Sequence, residues 1–266
     1  MAFGPKLTRD AHKIITEFIS SMVRSAEAQG VVLGVSGGID SALVAKLSVD
    51  ALGEKKVLGL VLPSGKGSAQ DVKDAKKVIE WLGIRSMTMD IEPMVRSFTK
   101  PLEPDPRQLG NIKARSRMVI LYHYAATLGH LVAGTGNKSE LLVGYFTKFG
   151  DGGSDMLPIG DLYKCQVREL SQELGVPKRV IDKAPSAGLW KGQTDEMELG
   201  ISYDELDPIL YGIEKGLSPE EISKATGSSM KQVLKIEAMM EATQHKRKMA
   251  HIPKVGIRTI GIDWRE

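Results

Sequence analysis

The sequence predicts an α/β protein, a doubly wound parallel sheet with helices on both faces. Two observations carry this reading. Short apolar runs alternate with segments of helical period from residue 8 to residue 133, the order expected when each strand is followed by a crossover helix. Two of those runs, Val31-Val32-Leu33 and the one ending at Ala133, open into Gly-rich turns followed by a helix start. In open α/β sheets ligands gather at the carboxyl ends of strands, near the topological switch point.

Taken in order, residues 8–29 form an amphipathic helix, with Ala11, Ile14, Ile15, Phe18, Ile19, Met22, Val23 and Ala26 at three- and four-residue steps. Gly30 stops it. The first strand follows, then a Gly-rich turn and a second helix that ends at Gly53. Residues 57–62 are a second buried strand, 71–82 a third helix and 85–91 a third strand. The Pro-punctuated stretch 92–110 reads as a short helix plus a loop. Residues 111–128 form a helix so apolar after Arg117 that it is expected to be buried on more than one side. Residues 130–133 are the fourth strand. Helices follow over 164–174, 177–183, 203–215, 218–226 and 229–248, and 252–266 is a terminal extension. The loop around 191–198, with almost no apolar content, is expected to order only when ligands fill the cleft. No internal repeat or linker interrupts the chain, so a single domain spanning 1–266 is expected.

Composition excludes several classes. The formal charge of +3 is small, and Lys246-Arg247-Lys248 is the only tight basic run, too little for a nucleic-acid footprint. The single cysteine, Cys165, excludes intrachain disulfides and Cys-based metal clusters. The five histidines make no metal spacing with one another. No apolar run approaches the length of a membrane span, and no signal-peptide pattern opens the chain. A cytoplasmic protein with neither a nucleic-acid nor a membrane partner is expected.

The stretch Gly34-Val35-Ser36-Gly37-Gly38-Ile39-Asp40-Ser41 has the parts of a phosphate-binding loop. Adjacent glycines allow a sharp turn and close approach to an anion, and the N–H groups of the new helix point at it. Asp40 is out of place beside a bare anion unless a divalent cation stands between carboxylate and phosphate. The absence of a lysine excludes a Walker A loop. A second Gly-rich strand end, Gly134-Thr135-Gly136-Asn137-Lys138-Ser139-Glu140, offers a carboxylate to stand opposite Asp40; alone, Glu140 reads as a solvated first-turn residue. Next comes Phe146-Thr147-Lys148-Phe149-Gly150-Asp151-Gly152-Gly153-Ser154-Asp155, whose aromatics either stack on a planar ring or pin the loop to the core.

Ser36-Gly37-Gly38-Ile39-Asp40-Ser41 resembles the pyrophosphate loop of the ATP pyrophosphatases, which cleave ATP between the α and β phosphates. With the other two motifs, nearly the whole chain resembles the ammonia-dependent NAD synthetases, which make NAD from deamido-NAD, ATP and ammonia. The resemblance implies an adenine-nucleotide α-hydrolase-like, Rossmann-like fold. It also implies that Gly34, Val35, Ser36, Gly37, Gly38, Ile39, Asp40 and Ser41 hold the ATP phosphates, with Thr135, Lys164 and Ser186 as further ATP contacts. Asp40 and Glu140 would bind Mg2+, Asp40 and Lys164 would be the catalytic residues, and Arg115, Lys148, Asp155, His245 and Lys246 would contact deamido-NAD. Ser139, Ser154 and Ser186 stand where relatives commonly carry threonine. The implied chemistry is an acyl adenylate formed with release of pyrophosphate, then attack by ammonia to release AMP. A homodimer is expected from the apolar 111–128 helix and from the family. Cys165 is expected to be a small core residue rather than a glutaminase nucleophile, so ammonia would be used directly or supplied by a separate glutaminase chain. Three rivals stand beside this reading: a tRNA-modifying ATP pyrophosphatase, a non-catalytic nucleotide-binding module, and a synthetase acting on xanthosine monophosphate.

Overall fold

The computed structural model describes residues 3–65, 69–186 and 194–260. Its centre is a four-stranded, all-parallel sheet in the order β3-β2-β1-β4, formed by β1 (Gly30–Gly34), β2 (Val57–Val61), β3 (Arg85–Thr88) and β4 (His130–Val132). Strands β1, β2 and β3 are laid down in one direction, and the chain then returns to place β4 on the other side of β1. The switch point therefore lies between β1 and β4, where the two Gly-rich strand ends are side by side.

The strand sequences explain the layering. Successive side chains point to opposite faces, and β1 is apolar at every central position because both faces are covered. Val31 and Leu33 belong to one core, with Val57 and Val61 of β2; Val32 belongs to the other, with Leu58, Leu60 and Val132. Helices α1 (Ala11–Ser25), α2 (Ile39–Leu52), α3 (Ala69–Leu82), α7 (Lys164–Glu173) and α8 (Lys178–Ile181) cover the first face. Helices α4 (Glu92–Leu102) and α5 (Pro106–Leu128) cover the second. The first core takes up most of α2, including Ala42, Leu43, Val44, Ala45 and Leu47, because that helix is packed by the sheet, α1 and α7 together.

Downstream, α6 (Lys138–Val143), α9 (Asp195–Leu199), α10 (Tyr203–Glu214), α11 (Pro219–Thr226) and α12 (Met230–Ala242) gather around a further apolar cluster that includes Val143, Tyr163, Leu206, Ile222 and Ile236. This cluster adjoins the carboxyl ends of the strands through α6 and the start of α7. None of the described helices is long and apolar enough to cross a membrane.

Several boundaries differ from expectation for local reasons. Strand β3 stops at Thr88 rather than at residue 91, because the Asp90 carboxylate accepts the N–H groups of Gly65 and Glu92 and turns the chain into α4. Helix α5 starts at Pro106 rather than 111, since Asp105 and Gln108 form a reciprocal capping box around its first turn. Its sides are also less buried than its composition suggested, with Val119 exposed. Helix α12 ends at Ala242, short of 248, and a 3-10 turn over Gln244–Lys246 follows. Of the loop expected at 191–198, residues 191–193 lie outside the described residues. The remainder is already structured, since Thr194 caps α9 and Asp195 is buried.

Leu206 is fully buried in the downstream cluster. Leu206→Ala should lower the unfolding free energy by about 2–5 kcal/mol. Denaturant titration checks this, and an unchanged midpoint at unchanged slope would mean that the cluster does not support the fold.

Candidate functional site

β1 ends at Gly34 and α2 begins at Ile39 with Gly38 as its N-cap, so residues 35–38 make the whole turn. Gly37 has φ +79°, and a Cβ there would stand 2.6 Å from the Asp71 carbonyl oxygen at the start of α3. Glycine is required at this position on both counts. Hydroxyl groups hold the loop from within: the Ser36 and Gly38 N–H groups donate to Ser41 Oγ and Ser36 Oγ, each at 3.2 Å, and the two Oγ atoms are 3.0 Å apart. The N–H groups that would meet an anion thus already face oxygen atoms.

At the end of β4 the chain turns through Gly134 to Gly136 into α6. A Cβ on Gly134 would come within 2.5 Å of Ser154 Oγ, so close approach again demands glycine. Asn137 caps α6, accepting the Glu140 N–H at 3.0 Å while Glu140 Oε2 accepts the Asn137 N–H at 3.3 Å. The Asn137 side chain also donates to Asp40 Oδ1 at 3.0 Å, joining the two strand-end turns. Glu140 is therefore not a solvated first-turn residue: one carboxylate oxygen serves the cap and the other accepts from Lys164 Nζ at 3.2 Å.

Lys164 completes the group. Its side chain is only 2% exposed, and its Nζ lies 2.6 Å from Asp40 Oδ2 and 3.2 Å from Glu140 Oε1. Its backbone N–H donates to Ser139 Oγ (2.9 Å), and Ser139 in turn donates to the buried Asp207 carboxylate, which also accepts the Cys165 N–H at 2.8 Å. The start of α7 is thereby fixed to α6 and α10. Burial disfavours the Lys164 ammonium, but Asp40 and Glu140 outweigh it and hold its pKa above the usual lysine range. Burial pushes Glu140 up to about 7, against the pull of Lys164 and with the help of Asp40.

Two further side chains reach this group that sequence reasoning did not single out. Tyr203, the first residue of α10, donates to Asp195 Oδ2 at 3.2 Å and stands 3.5 Å from Glu140 Oε1. Lys164 Nζ lies 5.1 Å from its ring centroid, within range of a cation–π contact. Asp195 is buried, and its Oδ1 has no hydrogen-bond partner among the described residues. Burial raises its pKa. The Ser202–Glu205 capping box marks the start of α10 in the sequence, but no local signal brings Asp195 to this site.

Four of the five residues expected at a dinucleotide meet in a second cluster. Lys148 Nζ donates to the His245 carbonyl at 2.6 Å, and Arg115 donates to the Lys148 carbonyl at 3.3 Å. Lys246 Nζ donates to the Gly144 and Phe146 carbonyls at 2.7 and 2.8 Å. The fifth, Asp155, is bonded elsewhere. It accepts the Val132 N–H of β4 at 2.7 Å and the Tyr122 hydroxyl of α5 at 3.0 Å. Thr135 is half-buried in the β4–α6 turn. Ser186 is exposed, and next to it the Pro185 carbonyl accepts the Asp195 N–H at 3.1 Å.

Cys165 is half-buried at the start of α7, and burial together with Asp207 pushes its pKa up to about 12. Because the thiolate is the reactive form, iodoacetamide alkylation should be slow at pH 8 and rise about tenfold per pH unit to pH 11. A plateau near pH 8.5 would mean an ordinary exposed thiol.

Residues 11–250 match the NAD synthase family. The NH3-dependent NAD+ synthetase of Methanosarcina acetivorans is 48% identical over 250 residues, covering 92% of this chain and 98% of the relative. Among solved structures, an NMN synthetase from Francisella tularensis superposes with a TM-score of 0.82 at 40% identity, covering 92% of this chain and 98% of the other. The NH3-dependent NAD synthetase of Campylobacter jejuni has a TM-score of 0.79 at 32% identity, with the same coverage. With its parallel sheet, its Gly-rich turn at the end of β1 and these similarities over nearly its whole length, the chain belongs to the NAD synthase family.

Proposed function

We propose that the chain converts deamido-NAD to NAD with ATP and ammonia, through an acyl adenylate, at the junction of the phosphate loop and α6. The observation that carries this reading is the convergence of Asp40, Glu140 and the Lys164 ammonium, within 3.2 Å, at the switch point. Attack of the nicotinate carboxylate on the α-phosphorus builds negative charge on phosphate oxygens and releases pyrophosphate. A buried, fully charged Lys164 is suited to stabilise that charge, as are the N–H groups of residues 34–41. Thr135 and Ser186 are the further ATP contacts in this reading. Arg115, Lys148, His245 and Lys246 form the basic surface for the dinucleotide in this reading, and Asp155, bonded outside that cluster, is its further contact. Ammonia then attacks the adenylate carbonyl, giving the amide and AMP. No side-chain nucleophile is needed, and positioning carries most of the work.

Asp40 and Glu140 also suit a magnesium ion. Both are hard oxygen donors, and both already converge on one cationic atom, Lys164 Nζ. Among the described residues no cluster of three or more His, Cys, Asp or Glu side chains is arranged to hold a metal. The remaining ligands would therefore be phosphate oxygens and water, the usual condition of nucleotide-bound Mg2+. When bound, the ion would neutralise developing charge on the phosphates.

Cys165, the only cysteine of the chain, has the wrong electrostatics for a glutaminase nucleophile, which favours free ammonia or ammonia from a separate glutaminase chain. A homodimer belongs to the same reading, its support being the exposed apolar Val119 on α5. A second reading, amidation of a mononucleotide, is favoured by the similarity to the Francisella tularensis NMN synthetase.

Pyrophosphate release from ATP, measured in parallel with deamido-NAD, nicotinic acid mononucleotide, xanthosine monophosphate and bulk tRNA, separates these readings. Deamido-NAD is expected to give the highest kcat/KM; a higher value with the mononucleotide would establish the second. Asp40→Asn and Glu140→Gln should each lower pyrophosphate release by about 100-fold or more at saturating magnesium, with the fold intact by circular dichroism. Near-normal turnover in either variant would remove that residue from the site. Cys165→Ala should leave ammonia-supported synthesis within about twofold of wild type, an expectation that rests on the raised pKa of this half-buried thiol.

A further inference from the structure

Outside the Asp40–Glu140–Lys164 group, a second charged cluster touches the phosphate loop from behind. Lys183, just past the end of α8, places its Nζ 2.6 Å from Asp71 Oδ1 and 3.6 Å from Asp74 Oδ2, both on α3. The Asp74 side chain is 4% exposed and is held in turn by Arg179 Nε and Gln70 Nε2, each at 3.0 Å from its Oδ1. The ammonium thus has a fixed seat. From that seat it also donates to the carbonyl oxygen of Gly37 at 3.3 Å.

That carbonyl belongs to the peptide unit between Gly37 and Gly38. A trans peptide is planar, with its C=O and N–H pointing in opposite directions. With the Gly37 oxygen drawn toward Lys183, the Gly38 N–H faces the other way, toward Ser36 Oγ at 3.2 Å, on the inner side of the turn. Neither flanking residue has a side chain to resist rotation of this unit, and glycine tolerates both resulting backbone conformations. A flipped peptide would present a carbonyl oxygen where an N–H should meet an anion, replacing attraction by repulsion.

We propose that Lys183 is a positioning residue for the phosphate loop: its ammonium holds the Gly37 carbonyl outward and keeps the Gly38 N–H aimed at the nucleotide phosphate. The inference rests on the reading of residues 34–41 as that loop. Asp71 belongs to the same device, since it holds the ammonium, and its own backbone oxygen lies against Gly37. Lys183 itself acts through the peptide unit and needs no contact with the substrate.

The test compares Lys183→Met, Lys183→Arg and Asp71→Asn, with Ser36→Ala as a probe of the loop itself. Initial rates are measured against ATP and against deamido-NAD, with inhibition by pyrophosphate as a second anion readout and thermal melting as a control. Lys183→Met should raise the KM for ATP and the inhibition constant of pyrophosphate by about 10- to 100-fold, the range set by loss of a charge-assisted hydrogen bond. The KM for deamido-NAD should change by less than about twofold, because that substrate's basic surface lies elsewhere. Lys183→Arg, which keeps the charge and a donor, should recover most of the loss. Asp71→Asn should move ATP and pyrophosphate in the same direction by a smaller factor, and it decides the matter if Lys183→Met does not fold. An unchanged ATP KM in Lys183→Met, with Ser36→Ala impaired, would overturn the positioning role alone. Unchanged ATP kinetics in both would overturn the phosphate-loop reading with it. Equal losses for both substrates, with no recovery by arginine, would mean a general structural role and would also overturn the proposal.

Discussion

An ammonium group with almost no access to water organises the site. Removing Lys164 from solvent is costly unless opposite charges and hydrogen bonds surround it, and the fold meets that demand with Asp40 and Glu140. All three side chains sit in the first turns of helices, Asp40 in α2, Glu140 in α6 and Lys164 at the first position of α7. Helix N-termini favour carboxylates and disfavour a cation. The dipoles therefore help Asp40 and Glu140 and oppose Lys164, whose charge survives because two carboxylates are within reach. A place that satisfies one cation between two carboxylates, beside a loop of backbone N–H groups, is also suited to a magnesium nucleotide.

The downstream helices are part of this arrangement rather than an appendage. Asp207 of α10 fastens Ser139 to the backbone of Lys164 and Cys165, and Tyr203 and Asp195 close the remaining side of the group. Helix α6 has only six residues, too short to be stable alone. Its amino end is held by the Asn137–Glu140 capping box. Its carboxyl end is held by Arg247, which donates to the carbonyls of Leu141 and Leu142, and by Lys246 at Gly144. The Leu141 carbonyl also accepts the Gly144 N–H at 3.3 Å, so the basic side chains add to the closing bonds of a helix end whose last carbonyls have no following turn. The basic residues after α12 thus fix the helix that carries Glu140, and the same turn supplies the His245 carbonyl to Lys148.

What could be read from the sequence was what is decided within a few residues. The apolar runs gave both buried central strands, Gly53 ended α2 where expected, and the Gly-rich turn between β1 and α2 has the glycine that its positive φ demands. Asp105-Pro106 with Gln108 was an equally local signal, and the early start of α5 could have been taken from it. Glu140 is legible as a carboxylate near a strand end, and Asn137, three residues earlier, carries the local capping signal that fixes it.

Which of these local pieces come together depends on long-range packing. Asp40 and Lys164 are separated by 124 residues, and their contact depends on the sheet order that sets β4 beside β1. The burial of Asp195 and the approach of Tyr203 depend on how the downstream cluster packs on α6 and α7. Asp155, a ligand carboxylate by the family resemblance, gives one oxygen to the Val132 N–H of β4 and the other to the Tyr122 hydroxyl of α5. The elements are legible along the chain, because capping, turn chemistry and side-chain alternation act over a few neighbouring residues. The fold alone determined the charge cluster, because a buried ion pair forms between groups that only packing brings together.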